Sequence, residues 1–285
     1  MIRTTRIVSG DAVLAVDTAS VNGGGPDVLM VHATGFCRGV WIPVVVDAAR
    51  LGATMSVQMM DQRSHGQSQG GTQDDWWQLG ADVLRVVGGR RPIGVGHSSG
   101  GAALVLAELL APGTFSSLIL IEPILPPPPF ERAHEHPIAE FTTRRKRSFE
   151  SLTAAADSYR DRGPFAGWDE RALRGYLSCG LVEDSAGGVT LACDPDDEAE
   201  FYRTANSHGA YSRLGDLQVP TRVVFGGETE DFGPAFFEDI AERITGATAV
   251  VVAGANHFVP MQHPRIIASI LVEELGEYDK DAARR

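Results

Sequence analysis

Cysteine is scarce in this chain: Cys37, Cys179 and Cys193 are the three among 285 residues. An odd number without metal-ligand spacing excludes a disulfide framework and reads as free thiols in a reducing compartment, with a Cys179–Cys193 pairing left open. Positive charge is also short, at 25 Lys and Arg against 37 Asp and Glu, a formal net charge of -12. That balance argues against nucleic acid or an anionic membrane surface as partner. No apolar run is long enough to span a bilayer, and Met1–Arg6 lacks the apolar core of a secretory signal. The expected location is therefore cytoplasmic. A phosphate-cradling loop, a dinucleotide fingerprint and a metal-ligand set are missing too, so no cofactor and no metal are expected. What remains, 43% hydrophobic and 22% charged residues, is the composition of a globular chain long enough to bury a core without staples.

The chain alternates short apolar runs with amphipathic stretches, the rhythm of a mostly parallel sheet with helices on both faces. Thr4–Ser9 and Ala12–Thr18 read as a hairpin turning at Gly10-Asp11. Further strands are expected at Val28–Val31, Val57–Met60, Ile93–Val95, Leu118–Ile121, Arg222–Phe225 and Ala249–Val252, with helices at Gln73–Val87 and Phe236–Ile244. The rhythm breaks between Pro123 and about Gly209, opening on four consecutive prolines, Pro126–Pro129, which continue neither a helix nor a central strand. Aromatic residues spread among Arg and Glu follow at helical spacing. This stretch is expected to be an inserted helical cap, dividing the chain into core 1–125, cap 126–208 and core 209–285.

Gly96-His97-Ser98-Ser99-Gly100 fits the nucleophile elbow Gly-x-Ser-x-Gly, with an apolar run before it and small apolar residues at helical spacing after it. A strained turn there presents the Ser98 hydroxyl at a strand's carboxyl end above a helix N-terminus. Such a serine needs a base and oxyanion donors. His257, in the loop after the last expected strand, is the candidate base. His97 is adjacent to the serine and points another way; His134 and His136 read as solvated, and His208 and His263 lack a partner motif. His65 precedes the elbow in a turn-rich loop where Asp61 and Arg63 read as local hydrogen-bonding residues. One oxyanion donor is expected from the small residues of His32–Phe36 after a buried strand, the other from the Ser99 backbone N–H.

Together these segments resemble a capped α/β-hydrolase over nearly the whole length. His32–Phe36 resembles the family's His-Gly oxyanion loop, with Trp41 where a tryptophan often follows. Asp61–Ser68 resembles the Asp-x-Arg-Gly-His-Gly-x-Ser loop, and Gly254–Pro260 the Gly-x-Gly-His loop of the catalytic histidine. Ala33 and Ser64 stand where glycine is usual, and Asn256 is a departure before the histidine. The resemblance implies an α/β fold of mostly parallel sheet with a helical cap. It implies Ser98 as nucleophile, His257 as base, and the Thr34 and Ser99 amides as oxyanion donors. It also implies a triad acid after the strand ending at Phe225, where Asp231 fits the pattern and Glu230 a register one shorter. Some capped relatives carry the acid at the strand end occupied here by Glu122.

A serine nucleophile favours acyl transfer to water over the aspartate-ester chemistry of dehalogenases and epoxide hydrolases. The expected substrate is a small molecule, an ester or lactone with an apolar or aromatic group matched to the cap's aromatics. A carbon–carbon bond hydrolase and a cofactor-free perhydrolase would use the same triad, and a ligand-binding protein without turnover is the contrasting class.

Overall fold

In the computed structural model, residues 2–70, 74–185, 187–230 and 232–284 are described. The chain opens with the hairpin β1 (Arg3–Ser9) and β2 (Ala12–Val21), then runs β3 (Asp27–Val31), α1 (Ile42–Arg50), β4 (Met55–Met60), the two-residue β5 (Gln69–Gly70), α2 (Trp77–Val87), β6 (Ile93–His97), α3 (Ser99–Leu110) and β7 (Ser117–Ile121). Next come α4 (Pro137–Thr143), β8 (Ser148–Phe149), α5 (Leu152–Tyr159), α6 (Glu170–Cys179), β9 (Leu181–Glu183), β10 (Val189–Leu191) and α7 (Pro195–Thr204). The chain returns through β11 (Thr221–Gly226), α8 (Pro234–Arg243) and β12 (Thr248–Val252), and finishes with α9 (Val259–Gln262) and α10 (Pro264–Arg284).

The main sheet has the order β1-β2-β4-β3-β6-β7-β11-β12, with β5 beside β2. From β4 through β12 every pairing is parallel, while β1, β2 and β5 add antiparallel partners at one edge. β6 and β7 are buried at every position, as a strand covered by helices on both faces must be. One apolar cluster lies under α2, α3 and α8, and a second under α1, α6 and α10. Helix α3 is buried from Ser99 through Leu109, which explains a sequence apolar around its whole circumference. Its neighbour α2 stops at Gly88, held at a left-handed φ of 59° that glycine adopts without strain.

All six core strands expected from apolar runs are present, with ends within two residues. The expected helix at Gln73–Val87 begins at Trp77; Gln73 itself lies outside the described residues. The segment between β7 and β11 differs from expectation. Besides helices it holds a three-stranded antiparallel sheet, β8-β10-β9. Strands of two or three residues are too short to leave an alternation in the sequence, which is why periodicity shows only helices there.

Candidate active site

Every motif singled out from the sequence except the acidic loop's Asp231, which is outside the described residues, sits where a parallel strand ends, the position at which α/β sheets collect functional groups. Ser98 follows β6 directly and has φ 55° and ψ -117°, a strained conformation for a residue with a Cβ. The surrounding sequence compels it. A Cβ on Gly96 would lie 2.6 Å from the Gly100 carbonyl oxygen, and one on Gly100 would lie 2.2 Å from that of Val31. The turn is pinned on both sides, since Ser98 N–H donates to the Ile121 carbonyl at 2.9 Å and Ile124 N–H donates back to the Ser98 carbonyl at 3.3 Å.

His257 lies in the loop between β12 and α9. Its Nδ1 is 3.2 Å from Glu122 Oε2. Glu122 directly follows β7 at a left-handed φ of 49° and is wholly buried. A buried carboxylate is costly unless its lone pairs are satisfied. Here Gly226 N–H donates to Oε1 at 2.7 Å, and the Thr229 hydroxyl donates to Oε2 at 2.9 Å. With Nδ1–H given to the carboxylate, Nε2 is the ring nitrogen left to accept a proton. His97 supplies a further hold: its Nε2–H donates to the His257 carbonyl at 2.8 Å. Burial drives the His97 pKa well below 6.5, so the ring is neutral. Asn256 braces the same loop, accepting from Phe258 N–H at 3.0 Å while its own N–H donates to Gln262 Oε1 at 3.1 Å.

Among the acids weighed from sequence, Asp231 lies outside the described residues and Glu230 is exposed to solvent. The carboxylate against His257 Nδ1 is that of Glu122. Thr229 is the member of the acidic loop that reaches this group, through its hydroxyl, and sequence reading passed over it.

The loop after β3 lies beside the serine. Thr34, Gly35, Phe36, Ser98 and His257 line one cavity of about 780 Å³. Ser99 is the first residue of α3, where a helix offers its N–H no internal acceptor. The loop is held from behind by buried polar groups. His65 Nε2 accepts from Gly35 N–H at 2.9 Å, while Gln62 donates to the His32 carbonyl at 2.7 Å and to Ser99 Oγ at 2.9 Å. Thus His65 braces the loop. Burial lowers its pKa to about 4 and that of His32 well below 6.5. Asp61 takes the Arg38 N–H at 2.7 Å and the Gln67 N–H at 2.8 Å, and pairs with the Arg38 guanidinium. Desolvation nevertheless raises its pKa to about 6, with Arg38 opposing. Arg63 grips Asp82 through two hydrogen bonds at 2.8 and 2.9 Å. Ser64, where the resembling motif has glycine, adopts a left-handed φ of 59°.

The opposite wall comes from the segment between β7 and β11. Phe165, Tyr176 and Trp168 pack around Phe36 with ring centroids 5.1 to 6.1 Å away. Cys179 brings its sulfur to 2.9 Å from that of Cys37, both as free thiols. The pairing left open in the sequence, Cys179 with Cys193, is not the one the fold brings together. No helix among the described residues is long and apolar enough to cross a membrane.

Known proteins share this arrangement of chain. The peroxisomal alpha-beta-hydrolase Lpx1 from Saccharomyces cerevisiae superposes with a TM-score of 0.80 at 17% identity, covering 98% of this chain and 88% of its own. E-2-(acetamidomethylene)succinate hydrolase superposes with a TM-score of 0.79 at 22% identity, covering 96% of this chain and 98% of that one. In sequence, the abhydrolase domain-containing protein AKT2 of Alternaria alternata is 25% identical over 223 residues, 66% of this chain and 84% of the relative. The model of the alpha/beta hydrolase family matches residues 28–270, and the chain belongs to that family.

Proposed function

We propose that this chain is a serine hydrolase that transfers an acyl group from a small ester or lactone to water. In this reading Ser98 Oγ attacks the carbonyl carbon while His257 Nε2 takes its proton, and Glu122 holds the imidazole by Nδ1 and stabilises the imidazolium that forms. The amides of Thr34 and Ser99 receive the oxyanion, aided by the N-terminus of α3. His257 then returns the proton to the departing oxygen. A water molecule, deprotonated by the same imidazole, attacks the acyl-serine carbonyl and restores the Ser98 hydroxyl. The segment 126–208 acts as a cap between core portions 1–125 and 209–285, and its aromatic side chains receive an apolar or aromatic part of the substrate.

One observation carries the reading: a strained serine and a histidine share a cavity, and the histidine's Nδ1 is held by a fully buried, hydrogen-bonded carboxylate. Orienting a base this way serves proton transfer. The test is a fluorophosphonate probe with the modified peptide located by mass spectrometry. Label on Ser98, lost in Ser98→Ala and His257→Ala and accompanied by p-nitrophenol release from short acyl esters, is expected. Folded wild-type protein that takes no label and releases no p-nitrophenol overturns it.

A further inference from the structure

The segment 126–208 carries ten Arg and Lys side chains, at positions 132, 144, 145, 146, 147, 160, 162, 171, 174 and 203. Seven of them form ion pairs: Arg132, Arg145, Arg147, Arg160, Arg171, Arg174 and Arg203. The remaining three, Arg144, Lys146 and Arg162, have no carboxylate in pairing range among the described residues. All three line the cavity that holds Ser98 and His257. Chance does not favour this in a chain whose carboxylates outnumber its cations 37 to 25. Arg145 lines the same wall, but its charge is balanced by Glu198, the one carboxylate of the cavity lining among the described residues. The rest of that lining is rich in aromatic and apolar groups, and Lys146 Nζ sits 4.8 Å from the Phe149 ring centroid. A cavity whose unpaired charge, among the described residues, is all of one sign concentrates ligands of the other sign.

We infer that the substrate carries an anionic group remote from the reacting carbonyl, and that Arg144, Lys146 and Arg162 receive it. This rests on the acyl-transfer reading for the identity of the reacting group, while the anion site itself rests on the unpaired cations alone. The substrate class is then an ester, thioester or lactone of an acid bearing a second acidic function. Its apolar body lies along the aromatic wall and its charged end lies at the cations.

The probes are three p-nitrophenyl esters of matched chain length: the half-ester of adipic acid (anionic), the hexanoate (neutral) and the 6-aminohexanoate (cationic). Expected kcat/KM falls in that order, with the anionic ester about tenfold above the neutral one in low salt, as a few partly exposed charge contacts allow. Raising salt to about 0.5 M shrinks the ratio, because such contacts are screened. The triple variant Arg144→Gln, Lys146→Gln, Arg162→Gln brings the ratio close to one. Arg147→Gln, which removes a neighbouring cation paired with Asp194 and Asp196, leaves the ratio unchanged. Adipate is also titrated into the wild-type protein and the triple variant by calorimetry. Turnover of all three esters at similar kcat/KM overturns the anion site and leaves the hydrolase standing. Absence of turnover, with adipate binding that the triple variant loses, overturns the hydrolase and upholds the anion site. Absence of both turnover and adipate binding overturns both.

Discussion

The two walls of the cavity are built on different principles. On the core side, Ser98, His257, Glu122 and the loop through Thr34 are fixed by strand ends, by backbone approaches too close for a Cβ, and by buried hydrogen bonds to Gly226, Thr229, His65 and Gln62. On the far side, Phe141 is 70% exposed, and Arg144, Lys146 and Arg162 reach the cavity as solvated side chains. In the proposed reaction the core wall holds the reacting groups within a narrow geometry, which proton transfer requires. The far wall is shaped by charge and aromatic surface, which can select a substrate without such precision. A change of equal size therefore costs far more on one wall than on the other.

The largest effect is expected from Gly100→Ala. The new Cβ would fall 2.2 Å from the Val31 carbonyl oxygen and 2.6 Å from that of His32, backbone atoms of a central strand and its loop. Overpacking of this kind costs about 3 kcal/mol or more, so chemical denaturation should show a protein folded marginally or not at all. A denaturation midpoint equal to wild type would break the contrast between the walls.

Acid should act next most strongly, through buried histidines. His32 and His97 have pKa values well below 6.5, and those of His65 and His208 lie at about 4, all because burial penalises the charged ring. The unfolded chain takes up these protons below about pH 6.5, whereas the native protein resists until about pH 4. The unfolded state thus binds more protons in that window, and stability falls as pH falls through it. For His65 and His208 the full loss is on the order of 3 kcal/mol each. Asp61 acts the other way: with its pKa raised to about 6, the native state takes up that proton first and gains stability as pH falls. Asp197 and Glu198, also raised by desolvation, act with Asp61, and these three carboxyls do not offset four imidazoles. Melting temperature should drop steadily from pH 7 to pH 4.5, and a flat or rising curve would contradict the neutral-histidine core.

The same contrast explains what the sequence made legible. Short apolar runs revealed the core strands, and Gly96–Gly100, Asp61–Ser68 and Gly254–Pro260 marked strand ends because close backbone approach at Gly96 and Gly100 and a left-handed φ at Gly66 and Gly254 call for glycine. The partner of His257 was harder to read. Loop pattern favoured Asp231, while Glu122, at the end of a neighbouring strand, is set against the ring by a parallel register that no local motif encodes. Thr229 and His97 contribute through single hydrogen bonds across elements and leave no spacing signal. The far wall was visible only as composition. Which arginines find carboxylates and which face the cavity depends on how the segment docks, and its two- and three-residue strands lie below the reach of periodicity.

In the proposed mechanism everything turns on Glu122 as the group that orients His257. The direct measurement is kcat and kcat/KM for a p-nitrophenyl ester in Glu122→Gln and Asp231→Asn, each beside wild type. Replacing the orienting carboxylate disfavours the productive imidazole tautomer, so Glu122→Gln should lose about 10³- to 10⁴-fold in kcat while Asp231→Asn stays within about twofold of wild type. The reverse pattern, with Asp231→Asn crippled and Glu122→Gln nearly intact, would overturn the role of Glu122 and move the triad acid to the loop after β11.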